Sequence, residues 1–87
     1  MSDKKKKDYV VNADGSVSVK IDDKNITIRE PVVRDRLAVA DIKSVDVIEI
    51  TLLSNLTGLT IDEIEGFTWK NFHKLSQAGL HFSSFLD

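Results

Sequence analysis

The segment Val17-Ser18-Val19-Lys20-Ile21-Asp22-Asp23-Lys24-Asn25-Ile26-Thr27-Ile28-Arg29 alternates β-branched apolar residues with polar ones on both sides of a polar break. Period two with β-branched residues marks a half-buried strand. Asp22-Asp23-Lys24-Asn25 has turn chemistry, with a residue tolerant of positive φ at its end. The reading is a β-hairpin over about 17–29. Tyr9, Val10 and Val11 can add a short leading strand, with Asn12-Ala13-Asp14-Gly15 as the turn between. A two-stranded hairpin is marginal in water, so its apolar face must lie on helices.

Those helices follow in the sequence. Pro31 disfavours helix at Glu30 and suits a first helical position, so a helix is expected over about 31–42. Val33, Leu37 and Ala40 form one stripe, and Val32, Val39 and Ile42 another. Two stripes predict a helix packed between the hairpin and other helices. Ser44 is placed to cap a helix of about 45–57, with Val45, Ile48, Leu52, Leu56 and Leu59 as its core stripe and Gly58 at a left-handed C-cap. Thr60 and Glu63 match a capping box for a short helix over about 61–66, ended by Gly66. Thr68 caps a last helix of about 69–86, in which Phe72, Leu75, Gly79, Phe82 and Leu86 recur at helical spacing beside Ala78. Gly79 costs about 1 kcal/mol relative to alanine there, and leaves room for another backbone or ring. The fold class expected is α+β: an N-terminal hairpin followed by a cluster of three to four helices.

Composition bounds the rest. At 87 residues the chain reads as a single domain over 9–87, preceded by a disordered lysine-rich tail at 1–8. A chain of this size buries about 60–65% of its unfolded surface. It is 41% hydrophobic and 30% charged, with a net charge of -2, so nothing global drives it onto nucleic acid or an acidic membrane. There is no cysteine, which excludes disulfides and thiolate metal sites and fits a reducing compartment. No apolar run reaches the ~18 residues of a membrane span. The lysine-rich start is not followed by an apolar stretch and does not read as a signal peptide. The expected location is the cytoplasm.

No reactive constellation emerges, and neither a catalytic residue, a cofactor nor a metal is expected. His73 and His81 are the only histidines. On a helix they would lie roughly 80° apart around the axis and about 12 Å apart along it, too far to share an ion. Carboxylates cluster at Asp62, Glu63 and Glu65, and since a first helical turn favours negative charge, a helix-dipole role explains them without catalysis. Helix, Gly58 turn, helix over 48–76 superficially matches a helix-turn-helix DNA-binding regulator, the alternative function. A recognition helix needs Arg, Lys, Asn or Gln on its face, whereas this one offers acids.

What remains is apolar surface. Val47 and Ile50 lie opposite the core stripe of their helix. Trp69 and Leu80 point away from the Phe72–Leu86 stripe, and Phe82, Phe85 and Leu86 crowd the end of the chain. These seven are the candidate partner-binding residues, since exposed aromatic and aliphatic anchors mark partner sites. The competing reading is that they are core residues of helices buried on two sides.

Two stretches carry a family resemblance. Ile26-Thr27-Ile28-Arg29-Glu30-Pro31-Val32-Val33-Arg34-Asp35 runs a strand through Arg-Glu-Pro into a helix. Leu52-Leu53-Ser54-Asn55-Leu56-Thr57-Gly58-Leu59-Thr60-Ile61-Asp62-Glu63-Ile64 precedes an aromatic-containing helix and a terminal Phe-Leu. In this order they resemble the short tail assembly chaperones of bacteriophages, especially those with contractile tails, over about residues 17–86. The lysine tail is not part of that pattern, and Asn71 stands where many relatives have an acid. The resemblance implies a non-enzymatic protein that binds the tape measure protein during tail assembly in the host cytoplasm and is absent from the finished virion. A longer frameshift product, the tail tube protein and further copies of the chain are the other partners it implies. A structural head–tail component, which would stay in the virion, is the third reading.

Overall fold

A computed structural model describes residues 9–82, so the lysine tail, Phe85 and Leu86 lie outside the described residues. The strands β1 (Tyr9–Val11), β2 (Val17–Ile21) and β3 (Lys24–Ile28) form an antiparallel sheet in the order β1-β2-β3. Val17 pairs with Ile28 and Val19 with Ile26, which puts both strands' apolar residues on one face. The turn is tighter than the sequence reading placed it. Only Asp22 and Asp23 form it, at φ 50° and 68°, and Lys24 and Asn25 belong to β3. Two consecutive left-handed residues give a hairpin turn whose twist matches the strands.

Four helices follow: α1 (Val33–Ala38), α2 (Val45–Thr57), α3 (Ile61–Glu65) and α4 (Trp69–Gly79). The caps expected from Ser44, Thr60 and Thr68 all form, each side chain accepting the N–H three residues on. Gly58 closes α2 at φ 84°. Ser54 Oγ donates to the Leu59 carbonyl at 2.6 Å and Thr57 Oγ1 to that of Leu53 at 2.6 Å, fastening the turn into α3.

The core lies where β2, α2, α3 and α4 meet. Val17, Val19, Ile28, Leu52, Leu53, Leu56, Ile64, Leu75 and Ala78 are buried there, and Phe72 and Leu59 pack against it. Leu53, fully buried, was not in the stripe expected of α2; Val45, which was, is exposed. Val45 lies within roughly 20° of Leu52 around the axis, so the first turn of α2 runs past the edge of the core.

α1 departs most from expectation. It spans six residues rather than twelve, Pro31 lies ahead of its N-cap Val32, and Val33 and Leu37 face solvent rather than packing between layers. α4 likewise stops at Gly79. Asn71, the departure from the family pattern, donates its side-chain amide to Asp22 Oδ2 at 2.9 Å. An acid at this third helical position would complete a capping box with Thr68. The amide instead ties α4 to the hairpin turn.

Candidate protein-binding surface

The junction from β3 into α1 is held by ionic and hydrogen bonds. Arg29 clasps Asp35 through two bonds, Nη1 to Oδ2 at 2.9 Å and Nη2 to Oδ1 at 2.7 Å. Asp35 Oδ2 also accepts the Val32 N–H at 2.8 Å, and the Arg29 N–H donates to the Leu56 carbonyl at 3.0 Å. Asp35 is buried, and the Arg29 guanidinium beside it, with the Val32 N–H, holds its carboxyl below the usual carboxylate range. The sequence reading gave this pair no role. Its signal was present: an acid at the third helical position, where a carboxylate can take up an orphan N–H.

This clasp fixes which side of α1 faces out. Asp35 and Val39 are the inward residues, both buried. Val33 and Leu37 each lie about 160° around the axis from Asp35. They are 75% and 68% exposed. Arg34 and Arg36 fall on either side of this ridge, about 100° from Asp35. The ridge is therefore apolar along its crest and basic on its flanks. Val32, Val45 and Val47 are exposed as well.

The residues singled out from sequence fall into three groups. Trp69 at 94% exposure, Val47 and Leu80 stand in solvent. Ile50 and Phe82 are half-buried and pack against the core. Phe85 and Leu86 lie outside the described residues. Val32, Val33, Leu37 and Val45 were missed because helical periodicity alone cannot tell a core stripe from a docking stripe.

Chemistry finds little to work with here. His73 and His81 are both exposed, and His81 meets Tyr9 and Phe82 edge-on at ring-centroid distances of 5.7 and 5.3 Å. Among the described residues no three His, Asp or Glu side chains converge as metal ligands, and no helix is long and apolar enough to cross a membrane. The helix-turn-helix reading gains no support. α3 has five residues, and its exposed Asp62, Glu63 and Glu65 would face phosphate with like charge.

Comparison with curated proteins and with solved structures gives no match. A family model described as phage tail assembly chaperone proteins, E, or 41 or 14, does match, over residues 12–84. That span takes in β2, β3 and all four helices, and the chain belongs to this family of phage tail assembly chaperones.

Proposed function

We propose that the protein acts without catalysis, binding the tape measure protein and shielding its apolar helical segments in the host cytoplasm until the tail is built. The observation that carries this reading is the exposed Val33–Leu37 ridge, flanked by Arg34 and Arg36 and held outward by the Arg29–Asp35 clasp. An amphipathic client helix with acidic flanks fits such a ridge through apolar contact and charge. Burying a few hundred Å² of apolar area at about 25 cal/mol per Å² yields several kcal/mol before the cost of association. Each contact is then weak and reversible, as release before the virion is finished requires. Several copies along a long client would add avidity.

Co-expression tests the proposal. The tape measure protein should be soluble with the native chaperone and should aggregate with a Val33→Asp, Leu37→Lys variant. Equal solubility with both would remove the ridge from the mechanism.

A further inference from the structure

The sheet has a second outer edge. The two-residue turn makes Ile21 and Lys24 a hydrogen-bonded pair, and the alternation of an antiparallel ladder does the same for Val19 with Ile26 and Val17 with Ile28. The backbone groups of Asn25, Thr27 and Arg29 therefore point away from β2. The Arg29 N–H confirms the parity, since it meets the Leu56 carbonyl. Asn25 and Thr27 have no such partner among the described residues, and both are exposed.

These two residues open onto a cleft of about 430 Å³ between β3, the end of α2 and α3. Ile21, Ile26, Leu59 and Phe67 supply its apolar lining, and Asp22, Lys24 and Glu63 its charges. Glu63 is held ionised by the Thr60 N–H, and exposed Asp23 and Asp62 stand next in the chain. Carboxylates outnumber the single lysine.

We infer that this edge and cleft form a docking site for an extended segment of another polypeptide, which adds as a fourth strand to β3. Unpaired N–H and C=O groups at two-residue spacing recognise an extended backbone and nothing helical. The cleft accepts an apolar side chain from every second position of that strand. The acidic rim selects a segment whose remaining positions are basic. This site lies on β3 and α3, apart from the α1 ridge, and does not depend on the function proposed above.

The probe is a seven-residue blocked peptide alternating valine with lysine, titrated into the full chain while backbone amide resonances are followed. The Asn25 and Thr27 amides should shift most. N-methylation of the peptide at its edge-facing amides should weaken binding at least tenfold, as should glutamate in place of lysine. Thr27→Pro should abolish binding while the Val19 and Ile26 amides stay put, because an outward-facing edge position tolerates proline. Binding that ignores N-methylation, or shifts confined to α1, would overturn the inference, and so would affinity equal for the lysine and glutamate peptides. The methylated peptide keeps the test decisive should Thr27→Pro fail to fold.

Discussion

Asp35 ties a strand, a loop and a helix together with one carboxylate. It neutralises Arg29, caps α1 through the Val32 N–H and turns Val33 outward. Arg29 is half in solvent, which weakens the ionic part; the buried acceptor is the costlier loss. Asp35→Ala should therefore lower unfolding free energy by about 1–2 kcal/mol in urea titration. Its carboxyl is held below the usual range, so the stabilisation is fully present above the unfolded pKa of about 4. It should fade as pH falls through the lower folded value, and the alanine variant should show a flatter profile there. At the hairpin turn, Asp23 carries φ 68°, which glycine accepts more readily. Asp23→Gly should raise stability by about 0.5–1 kcal/mol and leave the Asn71–Asp22 bond in place. The caps at Ser44, Thr60 and Thr68 were legible residue by residue, because each acts on an N–H three positions away. Asp35 carried the same local signal, an acid three positions from the Val32 N–H, but its bond to Arg29, across a proline on another element, was not legible.

Among the elements, α2 and α1 make opposite use of similar residues. Leu53 is wholly buried beneath the sheet and helices, and Leu53→Ala should cost about 2–5 kcal/mol. Val33→Asp with Leu37→Lys should shift stability by less than about 1 kcal/mol, because both side chains already face water and the new charges suit the helix dipole. Thermal melting of the two variants separates a core stripe from a surface stripe directly. The sequence periodicity of α1 and α2 reads alike, and both were expected to be core. What distinguished them lay outside the pattern: α1 is only six residues long and is anchored by a polar clasp rather than by its apolar face. The strands were read more accurately, since alternation names the buried face without any knowledge of the neighbours. Val17, Val19, Ile21 and Ile28 are all buried as that alternation required.

At the scale of the whole molecule, the sheet and α2–α4 enclose the core, while α1, the first turn of α2 and Trp69 at the start of α4 hold apolar side chains in solvent. A monomer left to itself gains nothing from that division. The chain belongs to the tail assembly chaperone family, and the function proposed for it rests on this exposed surface. Family membership was legible from the Arg-Glu-Pro junction and the Leu-Thr-Gly-Leu-Thr segment, whereas the location of the exposed face needed three dimensions. Flanking arginines add a further expectation: affinity for an acidic client helix should fall as salt rises.

Calorimetric titration of helical tape measure segments into the folded chain tests the central claim most directly. Native protein should bind with a negative heat-capacity change, the mark of apolar burial. The Val33→Asp, Leu37→Lys variant, equally stable, should lose at least tenfold in affinity. Undiminished binding by that variant would contradict the claim that the α1 ridge is where the client docks.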